Sequence, residues 1–284
     1  MFDKGRQNYR KNANYLIDKF FSMKVTIIQT NLVWENKNEN LSLLRDKISN
    51  LNEDTDLIVL PEMFSTGFSM NAKSLAEPMS GNTIQWLQKI ATEKNCAITG
   101  SIIIEENGKY FNRLIWMTPE EIKTYDKRHL FSYAKEENTY TAGNKKLIVE
   151  YKGWKICPLV CYDLRFPVWS RRTKKEDYDL LLYVANWPDR RNTAWKTLLP
   201  ARAIENQSYV VGVNRIGNDG NDVYHSGDSA IYTFTGEPIS KTQAHVESIE
   251  TIELNLEELQ EHRKHFAFEQ DADDVASLLS TLEI

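Results

Sequence analysis

The chain has 284 residues, a formal net charge of −5 and a pI of about 5.7, with acidic and basic side chains interspersed along its length. No clustered basic stripe is present, which argues against a nucleic-acid surface, and no segment approaches the ~20 apolar residues needed to cross a membrane. Three cysteines (Cys96, Cys157 and Cys161) are too few for a disulfide scaffold and suit a reducing cytoplasm.

The first 22 residues are rich in Lys, Arg and Asn and lack the apolar core and small-residue cleavage site of a secretory signal. They read as an extension, either from an upstream start codon or as a loosely attached helix, ahead of a domain over 23–284. Residues 25–29 read as a buried strand, and 38–48 as a helix with Leu41, Leu44 and Ile48 at helical spacing. A strand over 56–60 follows, then a loop over 64–80 and a helix over 83–94 with Ile84, Leu87, Ile90 and Ala91 on one face. Strands are expected over 96–104, 114–117 and 122–125, around an Asn107-Gly108 turn. A short apolar strand then ends in Cys161, with a helix predicted over 168–173. Next come a strand over 180–185, a helix over 193–206 and a strand over 209–214. A hairpin region near 227–236, a strand over 249–254 and a helix over 256–265 capped by Asn255 complete the pattern. No Pro/Gly/Ser-rich linker divides the chain, so a single α/β domain is expected. Periodicity alone does not distinguish one sheet from two.

Three chemically complementary side chains fall at strand ends, where α/β sheets place their ligands. Glu62 closes Leu57-Ile58-Val59-Leu60-Pro61-Glu62, Lys127 follows Ile122-Lys123-Thr124-Tyr125-Asp126, and Cys161 closes Ile156-Cys157-Pro158-Leu159-Val160-Cys161. Each has a plainer explanation when taken singly: a solvated strand end, a basic surface turn and a packed core thiol. Together they suggest a Glu-Lys-Cys site. A Cys161–His129 pair is the rival chemistry, and it leaves Glu62 and Lys127 unexplained. The five histidines are scattered with no CxxC, so no metal ligands are assigned. No GxxxxGK[ST] motif exists and no GxGxxG follows a strand, so no nucleotide cofactor is expected.

The ordered motifs Leu60-Pro61-Glu62, Tyr125-Asp126-Lys127-Arg128-His129-Leu130-Phe131 and Val160-Cys161-Tyr162-Asp163-Leu164-Arg165-Phe166-Pro167 resemble the nitrilase superfamily of carbon–nitrogen hydrolases. Ala185-Asn186-Trp187-Pro188, the 201–207 segment and Asp271-Ala272-Asp273 resemble its omega-amidase branch. The resemblance implies a four-layer α-β-β-α sandwich, with two such sandwiches packed helix layer to helix layer in a homodimer. It also implies catalytic roles. Cys161 is the nucleophile, and Lys127 favours its thiolate. Glu62 is the general base, and the Tyr162 backbone N–H and Lys127 stabilise the oxyanion. A further glutamate supporting the lysine is assigned to Glu136, with Glu137 as the alternative.

The omega-amidase resemblance points to a small 2-oxo acid monoamide, such as 2-oxoglutaramate or 2-oxosuccinamate. Its carboxylate calls for an arginine. Arg165, Arg190 and Arg191 are the candidates, although Arg165 is also placed to brace the turn by pairing with Asp163. Phe64, Phe68 and Trp187 are expected to wall the pocket. A sister activity on N-carbamoyl compounds, aliphatic amides or nitriles is the alternative, as is a catalytically silent binding module.

Overall fold

Apolar and polar residues alternate along much of this chain, and a computed structural model, which describes residues 22–272, shows what each face meets. Strand β1 (Ser22–Gln29) leads into helix α1 (Lys37–Ser49), where the Asn36 side chain accepts the Glu39 N–H and caps the first turn. Strand β2 (Leu57–Val59), a single-turn helix α2 (Ala72–Leu75) and helix α3 (Asn82–Lys94) follow. Strands β3 (Ala97–Glu106) and β4 (Lys109–Met117) form a hairpin about Asn107 and Gly108, whose φ angles of 53° and 74° suit a two-residue turn. Strand β5 (Ile122–Asp126) extends this meander. Strands β6 (Val149–Tyr151) and β7 (Trp154–Val160) precede a 3₁₀ turn over Cys161–Arg165 and the one-turn helix α4 (Pro167–Ser170). Strand β8 (Leu180–Ala185), helix α5 (Asn192–Asn206) and strand β9 (Tyr209–Asn214) come next. A small hairpin of β10 (Ile216–Asn218) and β11 (Tyr224–Ser226) leads to β12 (Ala230–Tyr232) and β13 (Ser248–Asn255). Helix α6 (Leu256–His265) starts at Asn255, whose side chain accepts the N–H groups of Glu257 and Glu258.

Two sheets carry the architecture. One has the order β13-β1-β2-β3-β4-β5 and the other β12-β9-β8-β7-β6. The central pairs β1–β2, β2–β3, β7–β8 and β8–β9 are parallel, and the flanking strands are antiparallel. On β1, β2 and β4 the residues Val25, Ile27, Leu57, Val59, Leu114 and Trp116 pack against the second sheet's Ile156, Leu180, Leu182 and Val211. Their neighbours Ile28, Ile58, Ile115 and Met117 point the other way, onto Leu44 and Ile48 of α1 and Leu87 and Ile90 of α3. Trp195, Leu199 and Ala203 of α5 cover the second sheet. The order is therefore helix, sheet, sheet, helix, as the resemblance implies. Strand alternation produces it, because each strand presents one apolar set to the partner sheet and another to helices.

Expected and observed elements agree closely, with informative exceptions. The helix expected over 168–173 is one turn long. The chain leaves it so that the Arg172 N–H can donate to Asn206 Oδ1 (2.9 Å) and its Nε to the Asn206 carbonyl (2.7 Å). Strands β6, β10 and β11 and helix α2 were not expected, since three or four residues carry too little periodicity to register. The extension expected over 1–22 lies outside the described residues except for Ser22, as does Asp273.

Candidate active site

The six-stranded sheet delivers two chemical groups to the site and the five-stranded sheet delivers one. Glu62 follows β2 through Pro61, Lys127 follows β5, and Cys161 follows β7. All three groups are withdrawn from solvent: Glu62 is 0 % exposed, Lys127 1 % and Cys161 9 %. Lys127 Nζ donates to Glu62 Oε1 at 2.9 Å and to Glu136 Oε2 at 2.9 Å, so one ammonium spans two carboxylates. Glu136 is fully buried and also accepts the Phe131 N–H at 2.6 Å. Glu137 is exposed, and of the two it is Glu136 that contacts Lys127. Cys161 does not continue its strand. It opens the 3₁₀ turn at φ 44°, a conformation that non-glycine residues adopt only when the surroundings enforce it. In such a turn the first N–H groups, that of Tyr162 among them, have no intrahelical acceptor and are free for an oxyanion.

The charges decide the resting protonation state. Burial by itself pushes the Lys127 ammonium towards neutrality, but Glu136 and then Glu62 outweigh it and hold the group charged. Glu136 is raised by burial, against the pull of Lys127. Burial raises the Cys161 thiol well above the ordinary cysteine value, and Glu62 adds to the shift through its charge and a hydrogen bond, outweighing Lys127. Two carboxyl groups already share one ammonium there, so a thiolate would bring a further negative charge into a buried cluster. These influences together favour the thiol form of Cys161. Lys127 does pull the thiol towards the thiolate, and burial together with Glu62 outweighs that pull.

Asp163 braces the turn that carries Cys161. It is fully buried, and Oδ1 accepts both the N–H (3.0 Å) and the ring Nδ1 (2.8 Å) of His129. Its Oδ2 accepts Tyr125 Oη (2.7 Å) and the Val160 N–H (3.1 Å). His129 also stacks on Phe166, with ring centroids 3.7 Å apart. The rival Cys-His pairing thus finds its histidine committed to Asp163. Arg165 was also expected at Asp163, but that carboxylate is already saturated by uncharged donors and His129. Arg165 lies instead over the Trp187 ring at 4.8 Å and lines the cavity.

A cavity of about 550 Å³ opens on Glu62, Lys127 and Cys161. Of the expected substrate-binding residues, Tyr162, Arg165, Trp187 and Phe68 line it, and Phe68 sits 5.2 Å from Lys127 Nζ. Phe64 does not, and its expected place in the pocket wall is corrected. It is fully buried in the sheet–helix core, against Gly100, where a β carbon would come 2.7 Å from its ring. Arg190 and Arg191 reach the same cavity. Arg191 lies 5.0 Å over Phe131 and 5.1 Å over Tyr133, and Arg190 5.9 Å over Tyr133. None of the three arginines has a carboxylate partner among the described residues.

The model of the carbon-nitrogen hydrolase family matches residues 24–264. The chain belongs to the carbon–nitrogen hydrolase family. This hydrolase is 45 % identical over 255 residues to the omega-amidase YafV of Escherichia coli K12, covering 89 % of this chain and 97 % of that one. It is 32 % identical over 248 residues to the 2-oxoglutaramate amidase of Bacillus subtilis 168, covering 85 % and 95 %. The crystal structure of XC1258 from Xanthomonas campestris, a family member with an arsenic adduct in its active site, superposes with a TM-score of 0.87 at 42 % identity. That match covers 89 % of this chain and 98 % of that one. The protein is accordingly an omega-amidase-branch hydrolase acting on carbon–nitrogen bonds.

Two polar residues of the hydrolase site escaped the sequence reading. Asn112 on β4 donates through Nδ2 to Glu62 Oε1 (2.7 Å) and Glu136 Oε1 (3.2 Å), bridging the two carboxylates. The Asn186 N–H donates to Glu62 Oε2 at 2.9 Å, and its side-chain amide to the Glu62 carbonyl. Asn186 lies within the quoted 185–188 motif. Asn112 gives no local signal, because its role depends on where β4 lies between β3 and β5.

Proposed function

We propose that this hydrolase releases ammonia from the terminal amide of small 2-oxo acid monoamides, 2-oxoglutaramate and 2-oxosuccinamate, through a thioester on Cys161. Cys161 Sγ attacks the amide carbon as its proton passes to Glu62. Lys127 Nζ and the Tyr162 N–H donate to the oxygen that becomes negative; one such donor is typically worth ~3 kcal/mol. Collapse breaks the C–N bond, and the proton on Glu62 goes to the departing nitrogen. Glu62 then takes a proton from water as the water oxygen adds to the thioester. Expulsion of the sulfur, which regains a proton, leaves the carboxylic acid and free enzyme. Glu136 and Asn112 hold Lys127 and Glu62 in register throughout.

The observation that carries the substrate class is the set of arginines, Arg165, Arg190 and Arg191, in one cavity without carboxylate partners among the described residues. A buried carboxylate left unpaired is very costly, and a planar guanidinium takes one bidentately. The names of the relatives support the same reading. Losing the charge partner costs at least ~3 kcal/mol, roughly a hundredfold in kcat/KM. The test compares 2-oxoglutaramate with hexanamide for the native protein and for Arg165→Met, Arg190→Met and Arg191→Met. Equal turnover of hexanamide replaces this reading with a general aliphatic amidase.

We further propose a cytoplasmic homodimer whose hydrolase domain covers 23–284, with 1–22 as an extension. The free thiols support the compartment, and among the described residues no helix is long and apolar enough to cross a membrane. For pairing, Val168 on α4 is 84 % exposed, and Ile204 on α5 and Phe266 after α6 are also exposed apolar groups. A monomer by light scattering at micromolar concentration would contradict the dimer.

A further inference from the structure

Trp34, in the loop between β1 and α1, lines the cavity beside Glu35. Its indole is gripped by two glycines. A β carbon on Gly67 would come 3.1 Å from Trp34 Cε3, and one on Gly220 would come 2.3 Å from Trp34 Nε1. Gly67 belongs to the loop that follows Glu62 and has φ +74°, while Gly220 belongs to the turn of the β10–β11 hairpin. Three separate segments therefore meet on one ring.

Arg215 ties those segments together. It is fully buried, and its guanidinium donates to Asn31 Oδ1 (2.8 Å), the Leu32 carbonyl (3.2 Å), the Asn218 carbonyl (2.8 Å) and the Ile216 carbonyl (3.0 Å). Every acceptor is uncharged. Its Nη1 is buried with no hydrogen-bond partner, 3.6 Å from where a Gly67 β carbon would lie. Burial pushes the guanidinium down to about 10, only partly opposed by Asp219. A buried cation held by neutral carbonyls is an expensive arrangement to keep for packing alone. What it secures is the position of the Trp34 loop against the hairpin that carries the cavity residues Asp219, Val223 and His225.

We propose that Trp34 sets the length of acyl chain the cavity accepts, and that Arg215 is the positioning residue that keeps the ring from yielding. A wall held at two places rejects an added methylene, whereas a mobile one adapts to it; such discrimination typically amounts to about 10–200-fold. The inference rests on the amidase reading above and deepens it.

The experiment measures kcat/KM for 2-oxoglutaramate and for its homologue with one further methylene, by ammonia release. It compares native protein with Trp34→Ala, Gly220→Ala and Arg215→Met, each checked for a cooperative thermal transition. The native preference for the shorter amide should fall at least about tenfold in Trp34→Ala, through KM rather than kcat, and move in the same direction in the other two. Gly220→Ala displaces the ring without removing it, and if Arg215→Met fails to fold, Trp34→Ala and Gly220→Ala decide the matter. An active native protein whose preference is unchanged by Trp34→Ala overturns the inference alone. Native protein that releases ammonia from neither amide overturns the amidase reading, and the inference with it.

Discussion

Asn112 offers the sharpest test of the charge balance at the site. Its amide donates to Glu62 at 2.7 Å and to Glu136 at 3.2 Å, so Asn112→Asp puts a third carboxyl group where two already share one ammonium. At about 3 Å and an effective dielectric near 20, each like-charge pair costs about 5 kcal/mol, so the new group stays protonated in the folded protein. An unfolded aspartate ionises near 3.9; keeping a proton at pH 7 therefore costs three pH units at about 1.4 kcal/mol each, roughly 4 kcal/mol. The sign follows from proton counting. Above pH ~4 the folded variant binds one proton more than its unfolded chain, so its stability relative to the native sequence falls as pH rises. Urea unfolding at pH 5 and pH 7 should show the deficit growing by about 2.7 kcal/mol between the two. A deficit that is the same at both pH values, or smaller than about 1 kcal/mol at pH 7, would refute the reasoning that these carboxylates share a single lysine.

Two further outcomes follow from the same geometry. Iodoacetamide should modify Cys161 in the folded protein and spare Cys96 and Cys157, which are completely buried with thiols pushed up to about 12. Because the Cys161 thiol is also raised, its alkylation rate should climb about tenfold per pH unit through pH 9; a plateau near pH 7 would mean a resting thiolate. Asp163→Asn keeps one acceptor oxygen in place of a carboxylate that serves Tyr125, Val160, and the backbone N–H and ring Nδ1 of His129. At least two donors lose their partner, each costing about 1–3 kcal/mol, and a shift in urea midpoint worth under about 1 kcal/mol would contradict the bracing role.

Whereas the strand before Lys127 is mostly polar, the strands that carry Glu62 and Cys161 were legible because each is an apolar run that stops at a polar residue. Strands β8 and β9 and helix α6 have the expected bounds for the same reason, and the Asn255 cap is a local signal that the fold keeps. Tertiary placement was less readable. Phe64 has the composition of a pocket wall, yet Gly100 opens a seat for it in the core. Arg165 is two residues from Asp163, and proximity in sequence suggested a pair; the turn instead aims the arginine at Trp187 and fills Asp163 with donors from β5, β7 and the 127–131 segment. Asn112 reaches the two carboxyl groups only through cross-strand register, and Trp34 is held at the cavity by a clamp of distant glycines; a local pattern encodes neither. That the sheets number two was implied by the resemblance, not by periodicity.

The central claim is that Cys161 carries the acyl group of a 2-oxo acid amide. Ammonia release from 2-oxoglutaramate, measured for the native protein and for Cys161→Ala under identical conditions, tests it most directly. The native protein should release ammonia in proportion to time and enzyme. The Cys161→Ala protein should release none above background while melting at the native temperature, since only one sulfur atom at the cavity edge is lost. A Cys161→Ala protein that retains the native rate would contradict the account.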